Sequence, residues 1–327
     1  MSPADLNANH ILRVQRRIAP HIRRAPLVRS AYLSQRSSAD VWLKLECRQP
    51  TGSFKVRGAL NKLGRLDAEQ KARGIVTASA GNHGLGVAYA ASRLGLSRVT
   101  VFVPENAPRS KLEKLGRFPI DLRRAGHSYE AAHDAATAFA DETGAAYISA
   151  YDDLDIIAGQ GTCGLEILTD LPQLDTIFVP VGGGGLIAGV AVAAKALHPG
   201  CRVIGLQPEA SPAARQSFEQ NWPVERYRAG PTLADGLAGG FGALPFYLAR
   251  TLIDDIWLHS EEDLRRAIFT LVDQEQLVVE ASGAIAVAPL LDPQRPLVGQ
   301  TVACVLTGAN IDSRVLGDIL REFGGER

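Results

Sequence analysis

Four consecutive glycines, Gly182, Gly183, Gly184 and Gly185, follow the apolar run Val179-Pro180-Val181, and Leu186 opens a helical stretch behind them. With no side chains in the way, backbone N–H groups can close on an anion, and the helix N-terminus adds partial positive charge. That is a phosphate cradle. No G-K-[ST] follows, so it is not a nucleotide P-loop. The looser dinucleotide pattern fits as Gly183-x-Gly185-x-x-Ala188, with Glu209 near the end of the next strand, so these residues alone leave a nicotinamide cofactor open. A turn needing positive φ explains one glycine more readily than four.

The second feature is Thr51-Gly52-Ser53-Phe54-Lys55-Val56-Arg57-Gly58-Ala59. It puts Lys55 between apolar neighbours, early in a helix that Thr51 or Ser53 would cap. Partial desolvation lowers an amine's pKa and makes it a nucleophile. Taken by itself, the same pattern also fits a surface lysine. Two further loops, Ser79–Gly84 and Thr307-Gly308-Ala309-Asn310, follow apolar runs as well. Ligands of open α/β sheets bind at the carboxyl ends of strands, so the three glycine loops read as one small-molecule site.

The elements that must position these loops alternate along the chain. Strands are expected at Val41–Glu46, Ile75–Ala78, Val99–Pro104, Ile120–Arg123, Ala146–Ser149, Thr176–Val181, Arg202–Gln207, Asp255–His259 and Thr301–Thr307. Several are near-continuous Val/Ile/Leu runs, the mark of strands covered on both faces. Helical patterns between them include Leu85–Leu94, Tyr129–Thr143, Leu186–Leu197 and Glu261–Glu275. This alternation predicts doubly wound α/β sheets. No Ser/Gly or Pro-rich linker and no short repeat interrupts it. The expected division is a large domain from 1–70 and 150–327, with a small α/β domain, 71–149, inserted in it.

Composition narrows the function further. Hydrophobic residues make up 46% and charged residues 21%, which excludes a disordered chain. The 35 basic and 35 acidic residues balance, so wholesale electrostatic attraction to nucleic acid or an anionic membrane has no support. No apolar run reaches the ~18–20 residues that span a bilayer. The first twenty residues lack a signal peptide's apolar core; their arginines fit a transit sequence, but Asp5 and the immediate helical pattern favour the first helix of a cytoplasmic protein. Cys47, Cys163, Cys201 and Cys304 form no C-x-x-C pair and read as buried thiols. His127 and His133 have no ligand spacing and read as surface residues.

Thr51–Ala59 resembles the cofactor-lysine motif of pyridoxal-phosphate enzymes of the tryptophan-synthase-β fold type (fold type II), and most of all that of the serine/threonine dehydratases and serine racemases. Leu43-Lys44-Leu45-Glu46, Ser79–Gly84, Gly182–Gly185, Ala234-Asp235-Gly236, Val279-Glu280-Ala281 and Thr307–Asn310 follow in the family's order and approximate spacing, over nearly the whole chain. The resemblance implies two doubly wound open sheets and pyridoxal 5'-phosphate rather than a dinucleotide. It implies Lys55 as the Schiff-base lysine that later acts on the substrate Cα proton. Phe54 would pack on the ring, Asn82 would bond its hydroxyl, and Thr307 would meet its pyridine nitrogen. Gly182 to Gly185 and Leu186 would hold the phosphate, with Glu280 lining the pocket. Ser79, Ala80, Gly81 and His83 would receive the substrate carboxylate, mainly through backbone donors, and Gly236 would lie close to substrate and ring.

The implied reaction is that of an ammonia-lyase. β-Elimination from L-threonine, L-serine or an analogue such as phenylserine or 3-hydroxyaspartate gives a 2-oxo acid and ammonia. Relatives are commonly dimers, so a homodimer is implied. A hydroxyl at the pyridine nitrogen makes the ring a weaker electron sink, which suits elimination better than transamination.

Three departures sharpen this expectation. Serine racemases carry a serine at the position of Ala80, and alanine exchanges no proton, so racemisation is expected only as a trace. Some relatives bind a divalent cation through acidic side chains where this chain has Gln207 and Ala213, with Glu209 offset, so little dependence on Mg²⁺ and no bound metal are expected. The chain continues only about seventeen residues past Asn310, too few for the regulatory domain of biosynthetic threonine deaminases. The glycine-rich Ala238–Gly242 is expected either to shape the side-chain pocket or to be a plain loop. A β-replacement enzyme of the same fold is the nearest rival; its lysine motif usually lacks the Phe-Lys-x-Arg-Gly core.

Overall fold

A computed structural model describes residues 6–294 and 297–325. Asp5 therefore lies outside the described residues. Ten strands form two sheets: β1 Leu27–Arg29, β2 Asp40–Lys44, β3 Ile75–Ala78, β4 Val99–Val103, β5 Asp121–Arg124, β6 Ala146–Tyr147, β7 Thr176–Pro180, β8 Arg202–Pro208, β9 Asp255–His259 and β10 Thr301–Val305. The six-stranded sheet runs β1-β2-β10-β7-β8-β9, and the four-stranded sheet runs β5-β4-β3-β6. Every pairing is parallel except β1 with β2.

All nine expected strands are present, several trimmed at their ends. The sequence reading missed β1. Three half-exposed or exposed residues on an antiparallel edge carry no alternation long enough to read.

The uninterrupted apolar runs have a direct cause. Ile177 and Val179 of β7 face one core, while Phe178 between them faces another. In the smaller sheet Val101 and Val103 join that first core, while Phe102 faces a third with Val76 and Ala78. One apolar layer is thus shared by the two sheets, and each sheet is covered on its other face too.

A buried ion cluster fixes the end of β2 to two helices. Lys44 Nζ lies 2.6 Å from Glu166, and the Arg57 guanidinium lies 2.7 Å from Glu46 and 2.8 Å from Glu166. Burial opposes the charge on Glu166, but Arg57 and Lys44 outweigh it and hold its carboxyl below the ordinary range. Losing one partner would strand a buried charge, so the cluster sets the register of helix Lys55–Gly64 against helix Leu154–Asp170.

All four cysteines are buried and unpaired; His127 is exposed, and His133 is half-buried against the rings of Tyr129 and Tyr147. Among the described residues, no helix is long and apolar enough to cross a membrane.

Candidate active site

Helix Lys55–Gly64 begins without the cap expected of Thr51 or Ser53. Its N-cap is Phe54, in helical geometry and with no side-chain bond. The loop is held by backbone instead: Phe54 N–H donates to the Thr307 carbonyl at 3.1 Å, and Ser53 bridges Gly308. Thr51 Oγ1 and Ser53 Oγ are left buried with no partner. Lys55 Nζ, half-buried, donates to the Ala150 carbonyl at 2.9 Å. Burial lowers its pKa to about 8, against the opposing pull of Glu280. Helix Asn82–Arg93 backs it closely, since a Cβ on Gly86 would lie 3.2 Å from the Lys55 carbonyl carbon.

Ala150 leads directly to the glycine loop. The next residue, Tyr151, lays its ring 2.2 Å from where a Cβ on Gly183 would sit, and its backbone 2.9 Å from a Cβ on Gly185. Gly184, the N-cap of helix Gly185–Leu197, has φ +92, and a Cβ there would lie 2.3 Å from the Phe241 ring. Among the described residues, no oxygen accepts from the N–H groups of Gly182 to Leu186. The first turn carries no acidic side chain to compete for them. These orphaned donors at a helix N-terminus suit a phosphate.

A chain of contacts returns from this cradle to Lys55. A Cβ on Gly182 would lie 2.8 Å from the Gly236 carbonyl. Gly236 N–H donates to Ser282 Oγ at 3.0 Å, and Thr307 Oγ1 donates to the Ser282 carbonyl at 3.2 Å. Across from Thr307, Asn82 Nδ2 donates to Glu280 Oε1 at 2.5 Å, and Asn310 N–H donates to Glu280 Oε2 at 3.0 Å. Burial, reinforced by Asp235, pushes the Glu280 carboxyl up to about 7 despite those two bonds.

The third loop lies at the end of β3. Ser79 Oγ accepts from Gly81 N–H at 3.1 Å, and a Cβ on Gly81 would meet only open space. Ala80 is half-buried and carries only its methyl group. The His83 ring turns away to the Ile148 carbonyl, with Nε2 at 3.0 Å. A carbonyl only accepts, so Nε2 holds the proton. Burial, with Lys55, pushes the ring pKa down to about 3, so it is neutral.

Sequence reasoning missed Ala150, Tyr151 and Ser282. Ala150 and Tyr151 follow β6 and could have been found as residues just beyond a strand's carboxyl end. Phe241 shows what Ala238–Gly242 does: Gly242 N–H donates to the Gly183 carbonyl at 3.1 Å, so the segment backs the cradle. Where a cation was considered, Gln207 Nε2 donates to the Val181 carbonyl at 3.3 Å and Oε1 accepts from Arg215 N–H at 3.1 Å.

A desolvated lysine amine held by the Ala150 carbonyl, next to the residue that packs on a glycine loop with orphaned backbone donors, suits an enzyme that carries a phosphorylated cofactor. The chain belongs to the pyridoxal-phosphate dependent enzyme family, whose model matches residues 18–308. Its cofactor is pyridoxal 5'-phosphate, and its fold is tryptophan-synthase-β-like. It is 40% identical over 313 residues to the L-threonine ammonia-lyase of Thermotoga maritima, covering 95% of this chain and 77% of that one. It is 38% identical over 309 residues to the catabolic L-threonine dehydratase of Escherichia coli, covering 93% of each. Maize serine racemase superposes with a TM-score of 0.90 at 32% identity, covering 98% of each chain.

Proposed function

We propose that the chain is an ammonia-lyase that dehydrates and deaminates L-threonine, L-serine or a close β-hydroxy analogue to a 2-oxo acid and ammonia. The observation that carries the reading is the depressed Lys55 amine beside the cradle of Gly182–Leu186, in a chain that shares two-fifths of its residues with an L-threonine ammonia-lyase.

Pyridoxal phosphate, when bound, delocalises the charge left at Cα once its proton is removed. The protein's residues do the rest. Lys55 anchors the cofactor and its Nζ takes the Cα proton. The N–H groups of Gly182 to Gly185 and Leu186 bind the phosphate. Phe54 would pack on the cofactor ring, Asn82 would bond its hydroxyl, Glu280 would line the pocket, and Thr307 would meet the pyridine nitrogen. A neutral threonine hydroxyl cannot keep that nitrogen protonated as a carboxylate would, which favours elimination over transamination. Backbone donors of Ser79, Ala80, Gly81 and His83 would hold the substrate carboxylate, and Gly236 would lie close to the substrate and ring.

Racemisation needs a second proton donor facing Cα from the side opposite Lys55. Ala80 has none, which supports lyase over racemase. The reading includes residues 71–149 as a small domain beside 1–70 and 150–327; the four-stranded sheet is built wholly from strands between Ile75 and Tyr147. It also includes a cytoplasmic homodimer, as the resemblance implies.

The test is the visible spectrum of the purified protein before and after L-threonine. A yellow band that L-threonine bleaches or shifts, with 2-oxobutyrate appearing, supports the reading. A band indifferent to L-threonine and L-serine moves the substrate to another β-hydroxy amino acid.

A further inference from the structure

Lys114 lies outside every motif discussed so far. It sits on helix Arg109–Leu115, between β4 and β5 of the smaller sheet, yet its Nζ reaches the loop after β10 and donates to Asn310 Oδ1 at 2.9 Å. The other end of that amide faces the site: Asn310 Nδ2 donates to Thr51 O at 2.9 Å and to Asn82 Oδ1 at 2.7 Å. Asn82 then turns its own Nδ2 toward Glu280, 2.5 Å away.

An amide has one accepting and one donating end, and this arrangement uses both. Flipping Asn310 would set Nδ2 against the Lys114 ammonium, donor facing donor. It would also set Oδ1 against the Thr51 carbonyl, acceptor facing acceptor. Lys114 and Thr51 O therefore select one amide orientation, and that orientation, together with the Glu280 carboxyl that accepts from Asn82 Nδ2, fixes which end of Asn82 faces inward. The cation on Oδ1 also polarises the amide and strengthens its donation to Asn82.

We infer that Lys114 is a positioning residue for the cofactor-facing amide of Asn82, acting through Asn310. The inference rests on the role proposed above for Asn82. It ties the cofactor's hydroxyl edge to a helix of the smaller sheet.

The experiment compares wild type with Lys114→Met, Lys114→Arg, Ser110→Ala and Asn82→Ala. Ser110 is on the same helix and spans the same gap to Asp312 at 3.4 Å, but does not touch Asn310. The readouts are pyridoxal-phosphate affinity, the position of its visible band, kcat and KM for the best substrate, and the melting temperature of the cofactor-free protein. Lys114→Met is expected to weaken cofactor binding about tenfold, move the band, and lower kcat about tenfold with KM nearly constant. The cofactor-free melting temperature stays within about two degrees of wild type, because a half-exposed pair contributes little. Lys114→Arg keeps a cationic donor and restores band and affinity, while Ser110→Ala changes neither.

A Lys114→Met protein with wild-type band and affinity overturns the inference, provided Asn82→Ala alters both. So does a Ser110→Ala protein that reproduces the Lys114→Met changes, since the effect would then be general docking of the helix. If Asn82→Ala itself leaves band and affinity unchanged, the proposed role of Asn82 fails first and takes this inference with it.

Discussion

Lys55 Nζ donates to the carbonyl oxygen of Ala150 at 2.9 Å, so a residue that follows β2 is held by one that follows β6 in the other sheet. The next residue, Tyr151, packs against Gly183 and Gly185 of the glycine loop. Burial of the amine among its neighbours lowers its pKa to about 8, against the opposing pull of Glu280.

That depression sets a pH dependence for cofactor capture. Only the neutral amine attacks an aldehyde, and at pH 7 roughly a tenth of the Lys55 side chains are neutral. The rate of pyridoxal-phosphate binding to stripped protein is expected to rise with pH up to about 8 and to level off above about 9. Stopped-flow growth of the visible band between pH 6 and 10 measures it. A rate still climbing at pH 10 would show an ordinary, solvated lysine.

Gly184 tests the cradle. Alanine there must adopt φ +92 and push its Cβ into the Phe241 ring. The backbone strain alone is of order 1–2 kcal/mol. Gly184→Ala is expected to weaken pyridoxal-phosphate binding at least about tenfold, read by titrating stripped protein. Gly95→Ala is the comparison: it has φ +69 but no neighbour within 4 Å, so it shares the strain and leaves the cradle alone. Equal affinities in the two variants would remove the phosphate role from this loop.

Ala80 separates lyase from racemase. The wild-type protein is expected to form keto acid from L-serine with only traces of D-serine. Ala80→Ser supplies a proton-exchanging group, and D-serine formation should rise by at least about tenfold. Chiral chromatography of the reaction mixture gives both numbers. Substantial D-serine from the unaltered protein would falsify the lyase assignment as the principal activity.

Gln207 predicts indifference to divalent cations. Its amide is fully buried and engaged at both ends, by Val181 O and Arg215 N–H, just ahead of the glycine loop. A neutral amide already committed at both ends offers no carboxylate to a hard cation. Treatment with a chelator should leave activity within about twofold of the untreated enzyme. Recovery by Mg²⁺ of an activity lost to chelation would overturn this.

Much of this protein is legible in its sequence. Strands β7 and β10 are read from continuous apolar runs, because a strand covered on both faces has no polar side to interrupt it. The glycine loop and Lys55 are read from residue type, since close backbone approach to an anion and an amine nucleophile each need particular side chains, or none. What the sequence cannot carry is direction and partnership across distance. The expected cap at Thr51 or Ser53 is absent because tertiary backbone bonds to Thr307 and Gly308 hold that loop. The direction of the His83 ring is not legible either: it is committed to the Ile148 carbonyl. Ala150 supplies a carbonyl, and every residue has one, so no residue type could mark it. Lys114 and Asn310 lie 196 positions apart, and only the packing of two sheets on one shared apolar layer brings them together.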